Sequence, residues 1–338
     1  MKNQYQKLAA GEYHTDETRL NRGKLADYLT GTAQDARAKS QAKYNGDFEA
    51  TKAMKFSSNV IHPMVLEPDT CAMVQAPMTP WHESKAMKTG SKEEQKCSEC
   101  GDIIPAKTPN IANRSGKYCC VPCIALAAGA GDVISDLAQQ YDNVISEKDY
   151  EIGETVCNSL RSTPFPGSAE NCLQAFRSGD CELTGHASMG LDDYRFLVDS
   201  IRDDMIIDGR ACDVILDLKF LKDISRGFIE KQIRYEPYFR MQPGMYSSLS
   251  EIIDGKPRRW FWICVKSTAV APEAREHAVA VYEAPPALLE QGRRDTERAT
   301  AMLRWCENHK LWPGENHVWQ GDGYAALTPM LEYEPYGA

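Results

Sequence analysis

ILDLKF, residues 215–220, is the stretch on which the reading of this chain turns. In a strand, successive side chains point to opposite faces. Ile215, Asp217 and Lys219 then share one face, and Leu216, Leu218 and Phe220 share the other. The second face is apolar and packs. The first brings a carboxylate and an ammonium to one place. Upstream, FLVD (196–199) ends an apolar strand in Asp199, and CELTGHASM (181–189) reads as a third strand carrying Glu182. Acids at neighbouring strand positions resist joint ionisation. A divalent cation relieves that repulsion, and hard oxygen donors select Mg²⁺ or Mn²⁺. Such a centre activates water and stabilises the charge that develops when a phosphodiester is hydrolysed. Lys219 would orient or deprotonate the water, or neutralise that charge. The same tripeptide also suits a structural ion pair or a solvent-facing strand. Asp203, Asp204 and Asp213 are alternative ligands around SIRDDMIIDGR (200–210), which reads as a loop.

The 338 residues suffice for one large domain or two ordinary ones, and 42% hydrophobic content supports a core. The net charge of −9 excludes a generally basic nucleic-acid coat but not a local basic channel. No apolar run is long enough for a membrane span, and the polar start MKNQYQKLAAGEYHTDETRL is not a signal peptide. A cytoplasmic setting in a bacterial host is expected. The 12 cysteines then read as metal ligands or buried thiols rather than disulfides.

Along the chain, 20–44 reads as one or two helices. KFSSNVIHPMVLEP (55–68) reads as a helix with Val60, Met64 and Val65 inward, and 69–96 as loop. AGAGDVISDLAQQYDNVI (128–145), YEIGETVCNSLRS and the tail of PGSAENCLQAFRSG read as helices. CELTGHASM, DYRFLVDSI and ACDVILDLKFL read as strands. RYEPYFRMQPGMYSSLSEII is a helix that Pro243 kinks or interrupts. RWFWICVKS and EHAVAVYEA form a strand pair, and 285–309 a long helix. The order predicts an α/β fold with a central mixed sheet flanked by helices. The expected parts are an N-terminal helical part of the main domain (1–96), a small cysteine-bearing insertion (97–123) and the core of the main domain (124–338).

Asp199 followed by Asp217-Leu-Lys219 resembles the PD-(D/E)xK nuclease motif. The surroundings resemble the alkaline exonucleases of phages and mobile elements, the RecE (exonuclease VIII) and λ exonuclease group. TKAMKFSSNVIHPMVLEPD (51–69) is similar to the family's histidine-bearing helix, with His62 before Leu-Glu-Pro. GDVISDLAQQYDNVISEKDYE and SGDCELTG are similar to the helices leading to the glutamate strand, at Glu182. Gln242-x-x-x-Tyr246 matches the Q-x-x-x-Y pair, and 260–283 with CENHKLWPG (306–314) the closing elements. The likeness spans most of the chain apart from the cysteine segment. It departs at Val198, where the family has proline, and at Ser57, Ser58 and Asn59, where the family is glycine-rich.

The resemblance implies a restriction-endonuclease-like core and a Mg²⁺-dependent (or Mn²⁺-dependent) 5′→3′ exonuclease on double-stranded DNA. It implies a ring-shaped homo-oligomer, trimer or tetramer, working beside a single-strand annealing protein in recombination. Glu182, Asp199 and Asp217 would hold the metal, with the Leu218 carbonyl and His62 as further ligands. Lys219 would act on the nucleophilic water, and Gln242 would place Lys219 or the DNA. Candidate DNA contacts are Arg19, Arg22, Lys24, Arg37, Lys39, Lys43, Lys52, Lys55 and Tyr246, with Trp81 as a possible stacking residue. A run of charge is also simply a solvated face.

CSECGDIIPAKTPNIANRSGKYCCVPC (97–123) pairs Cys97-x2-Cys100 with Cys120-x2-Cys123 across a 19-residue gap. Two such knuckles suit structural zinc, because each presents two thiolates to one ion. Cys119 is spare or replaces Cys120. CSECGDIIP is also similar to the DksA/TraR-type zinc finger. The module is a knob touching DNA, a subunit or a partner, or a purely structural insertion whose metal replaces a core. Four thiolates leave no open position for catalysis. The competing functions are a non-catalytic DNA-binding adaptor with a decayed nuclease core, and a single-strand-specific RecB- or Cas4-like nuclease.

Overall fold

In a computed structural model of the chain, the described residues are 3–8, 19–44, 51–74, 143–269 and 276–314, with the pairs 95–96, 103–104, 111–112 and 118–119. The four candidate zinc cysteines, the side chains of Lys43 and Lys52, Trp81 and most of the helix expected over 128–145 lie outside them. The chain divides into two compact units, 1–66 with 155–338, and 67–154.

The first strand, β1 (Gln4–Gln6), belongs to the larger unit. In the smaller unit β2 (Cys71–Val74) runs parallel to β7 (Asn143–Ser146), so a strand stands where 69–96 reads as loop and 128–145 as helix. Isolated runs of four residues, CAMV and NVIS, carry no period that separates strand from its alternatives. Between them β3 (Gln95–Lys96) pairs with β4 (Ile103–Ile104), and β5 (Ile111–Ala112) with β6 (Tyr118–Cys119), both antiparallel.

The larger unit is built on β8 (Asp180–Met189), β9 (Asp192–Ile207), β10 (Arg210–Leu221), β11 (Arg259–Lys266) and β12 (Val279–Glu283). With β1 they form one sheet in the order β1-β8-β9-β10-β11-β12. All neighbours are antiparallel except β10 and β11. The mixed sheet expected from the sequence is therefore present. A parallel pair needs a crossover, and here two helices supply it.

The helices are α1 (Arg22–Thr30), α2 (Ala33–Tyr44), α3 (Lys52–Phe56), α4 (His62–Leu66), α5 (Glu147–Ser162), α6 (Cys172–Arg177), α7 (Arg226–Tyr235), α8 (Pro237–Asp254) and α9 (Pro286–His309). The α7–α8 pair makes the crossover. Its break falls at Glu236, whose extended backbone (ψ 97°) is the one Pro237 favours in the preceding residue. Pro243 does not interrupt α8, which runs through it. The helix is buried against the sheet and α9, and that packing outweighs one missing backbone hydrogen bond.

The main core lies under α8: Met241, Met245 and Leu249 meet Trp260 and Trp262 of β11, Ile215 of β10 and Phe196 of β9. On the other face α6 packs on β8 and β9, and Phe165 meets Phe261 edge-on at 5.2 Å. The segment 200–210 is not a loop. β9 continues to Ile207, and the chain reverses over Asp208 and Gly209, both left-handed (φ 51° and 73°). Asp-Gly is the dipeptide that a tight hairpin turn of this hand favours.

Candidate active site

The site follows from strand register. β8 pairs with β9 at Cys181↔Ser200 and Leu183↔Val198, which leaves Glu182 opposite Asp199. β9 pairs with β10 up to Ser200↔Leu216, so the next step of that register sets Asp199 opposite Asp217. Glu182, Asp199 and Asp217 thus occupy one row across three adjacent strands, spaced by about 5 Å per strand. The β9–β10 ladder ends at this row. The Leu218 N–H donates instead to Asp199 Oδ2 at 2.7 Å.

Glu182 adds a second irregularity: its backbone is left-handed in mid-strand (φ 53°) and interrupts the pairing with Asp199. A side chain with a Cβ pays about 1–2 kcal/mol for that conformation. Such strain concentrates where geometry serves function.

His62 comes from the other side of the chain's order. α3 passes into a π-helical turn, Ser57–Ile61, and then into α4, so 52–66 is one helix with a wide turn in its middle. The His62 Nδ1–H donates to the Ser57 carbonyl at 3.0 Å, which turns Nε2 to Asp199 Oδ2 at 3.6 Å. Burial opposes charge on the imidazole, but Asp199, the Ser57 carbonyl and Glu182 outweigh it and raise His62 to about 9. Burial likewise pushes the Asp199 carboxyl up, but His62, Lys219 and the Leu218 N–H bring it below its ordinary value.

Asp217 is 1% exposed. Burial, with Asp199 reinforcing it, raises its carboxyl against the pull of Lys219 and Arg22. Its Oδ2 lies 2.5 Å from Lys219 Nζ and has no hydrogen bond besides. Its Oδ1 accepts from Gln242 Nε2 at 2.6 Å. The Gln242 Oε1 accepts from Lys219 Nζ at 3.0 Å and from Arg22 as well. Gln242 is therefore the hub of a closed set: carboxylate, ammonium and guanidinium.

Arg22 enters this set because Asn21 caps α1, accepting from the Lys24 N–H at 2.9 Å, and Arg22 is the first helical residue after the cap. From the sequence alone Arg22 is one of several candidate DNA contacts. The link to Gln242 spans 220 positions, and no local pattern announces it.

Among the described residues no three His, Cys, Asp or Glu side chains form a ready-made ion cage. The acids are matched instead by the chain's own cations and N–H groups. The donor chemistry nevertheless fits a hard cation: acids aligned in one row, one of them with a buried oxygen that only an ammonium neighbours. For an ion to reach Asp217 the ammonium must withdraw, which a flexible four-carbon stem permits.

Other expected residues fall elsewhere. Asp203 is committed to Lys256 and to Arg258 (3.1 Å), and Asp213 accepts from the Asp204 N–H at 3.1 Å, so these acids serve the far end of the hairpin. Tyr246, expected at DNA, is 4% exposed and packs between Phe196 and Trp260. Arg37 lies 3.8 Å above the Trp312 ring, and Lys39 pairs with Asp27 at 3.8 Å. Lys55 is exposed, Lys24 half-buried, and Arg19 lies beside the bridge from Leu20 to Tyr194. No helix among the described residues is long and apolar enough to cross a membrane.

No protein-family profile matches the chain, and no curated protein matches it. The chain is similar to a crystal structure from Eubacterium rectale provisionally named as an exonuclease, at 13% identity and a TM-score of 0.45, over 98% of this chain and 97% of that one. A likeness of that size carries neither fold nor activity from one protein to the other.

Proposed function

We propose that this chain is a PD-(D/E)xK-type, metal-dependent exonuclease that digests linear double-stranded DNA 5′→3′ and leaves a 3′ single strand. The observation behind this reading is the row Glu182–Asp199–Asp217, with Lys219 and Gln242 locked to its last member. Mg²⁺ or Mn²⁺ would be held by these acids with His62 and the Leu218 carbonyl, and would polarise the phosphate and acidify a bound water. The residues' own parts are distinct. Lys219 presents its ammonium to the attacking water and to the charge that grows on the phosphate. Gln242 keeps that ammonium beside Asp217 by accepting from one and donating to the other. His62, held through Nδ1, orients the Asp199 carboxylate. Arg22 offers a cation one hydrogen bond from Gln242 for a terminal phosphate.

The wider proposal adds a ring-shaped trimer or tetramer and a single-strand annealing partner. In such a ring the acidic exterior keeps the protein soluble while local cations line the DNA path. Cys97, Cys100, Cys120 and Cys123 would hold structural zinc.

The test is digestion of linear duplex with 5′-phosphate, 5′-hydroxyl or sealed ends, with Mg²⁺ or with EDTA. Release of nucleotides from open ends only, dependent on the ion and reduced about 100-fold or more in Lys219→Ala, is the expected outcome. Full activity of Lys219→Ala, or digestion that EDTA leaves unchanged, removes the proposal.

A further inference from the structure

A cavity of about 890 Å³ opens between α7, the end of β12 and the first turn of α9. Its floor is apolar: Ile229, Ile233, Trp262, Tyr282 and Leu288. Its walls are fixed from both ends. Arg240 is 8% exposed and donates to the carbonyls of Ile233 and Arg234 at 3.2 and 3.1 Å, while its Nε is held by Asp295 at 2.6 Å. The Tyr282 hydroxyl donates to the Ile224 carbonyl at 2.7 Å. A cavity held open in this way needs no ordering before it binds. Its volume lies within the range of ligand pockets, and its mix of apolar floor and few polar groups is theirs too.

The rim decides what chemistry fits. Glu283 is already matched by Arg259 at 2.7 Å, and Glu230 by Arg226 at 2.7 Å. That second pair is largely exposed and exchanges readily for another carboxylate. Arg234 is exposed and has no carboxylate within 4 Å among the described residues. Tyr235 beside it is 64% exposed, an aromatic ring left in water at the mouth. The rim thus has a cation in excess and the floor is greasy. The apolar floor suits side chains of a polypeptide and offers nothing to a sugar–phosphate backbone.

We propose that this cavity binds an acidic segment of a partner polypeptide, seating one or two apolar side chains on Ile233, Trp262 and Leu288 and setting neighbouring carboxylates on Arg234 and Arg226. The geometry is that of an anchor residue in a pocket with a charged rim. Trp262 is the register partner of Asp217, so the occupant rests one strand from the candidate site without touching it.

The probe is a fluorescein-labelled peptide, Gly-Ser-Asp-Asp-Asp-Leu-Phe, followed by fluorescence anisotropy on the whole protein. Two variants alter the cavity without touching the acids, Lys219 or Gln242. Ala287→Trp fills the mouth from an exposed position of α9, and Arg234→Glu reverses the rim charge. Each weakens the peptide at least about tenfold, the scale of one lost anchor or charge pair. A peptide with Asn for Asp, and one with Ala for Leu and Phe, each loses a similar factor. Nuclease activity on bare DNA stays at the unaltered level in both variants, so failure here is separable from failure of the nuclease reading. Peptide binding that neither variant weakens overturns the proposal, as does no binding at all. Tighter binding of labelled dT20 at the cavity, or self-association that Ala287→Trp abolishes, assigns the cavity to nucleic acid or to a second copy and equally overturns it.

Discussion

His62 and Asp199 show how a site is poised before any ligand arrives. The imidazole is fixed by the Ser57 carbonyl and faces a carboxylate, and its pKa stands at about 9 against an ordinary 6.5. The folded state therefore binds the proton more tightly than the unfolded chain does. That contribution is complete below pH 6.5 and disappears as the pH rises through 9. In metal-free buffer with EDTA, the melting temperature of the unaltered protein should fall relative to that of His62→Asn between pH 6.5 and 9. A difference that stays flat over this window would show that the pair does not exist in solution. Which residues belong to the site was partly legible: the period of two in ILDLKF puts Asp217 and Lys219 side by side, and their 2.5 Å contact is the result. The left-handed backbone of Glu182 and the Arg22–Gln242 bond were not, because nothing in the local sequence encodes a strained dihedral or a partner 220 residues away.

At the scale of elements, strands with clean alternation and the long α9 were readable, since their periods are strong. The short segments were not. β1, β2 and β7 gain their identity from a partner strand, and three or four residues show no period of their own. Pro243 was expected to kink or interrupt the helix and does not interrupt it, because local propensity yields to burial on both sides of α8. The α8–α9 crossing supplies a direct check on that packing. A Cβ on Gly292 would lie 2.6 Å from the Arg240 carbonyl oxygen, and one on Gly244 2.3 Å from the Leu289 carbonyl oxygen. Both neighbours are backbone and cannot swing aside. Ala favours a helix by about 1 kcal/mol over Gly, but overpacking costs about 1–3 kcal/mol. Gly292→Ala should lower stability by up to roughly 2 kcal/mol in urea unfolding, whereas Gly227→Ala on α7, where an added methyl meets nothing within 4 Å, should not lower it. Equal stability of the two variants would mean the helices do not cross this closely. The crossing matters for the site, since α8 carries Gln242 to Asp217.

At the scale of the whole molecule, net charge and cysteine placement divide the labour. A chain of charge −9 would approach DNA only through local cations, and the larger unit gathers Arg22 and Lys219 at its acids. Five of the 12 cysteines fall within 97–123, inside the smaller unit, while the other seven are scattered. Two of those scattered thiols, Cys172 and Cys264, are pushed up to about 12 by burial, so they stay protonated and are poor metal ligands. Chelation by thiolates would then fall to the cysteine-dense segment 97–123. A structural ion would stand in for a core that a segment of this length is too short to build. Purified protein should contain about one zinc ion per chain. A mercurial that titrates thiols should release it, as followed with a chromogenic chelator. Cys97→Ser should abolish retention of the ion, and Cys212→Ser should leave it intact. The nuclease reading places no catalytic ion there, so Mg²⁺-dependent digestion by Cys97→Ser should fall only as far as folded protein is lost. Stoichiometric zinc retained by Cys97→Ser, or none in the unaltered protein, would leave the cysteine pairs without the role assigned to them.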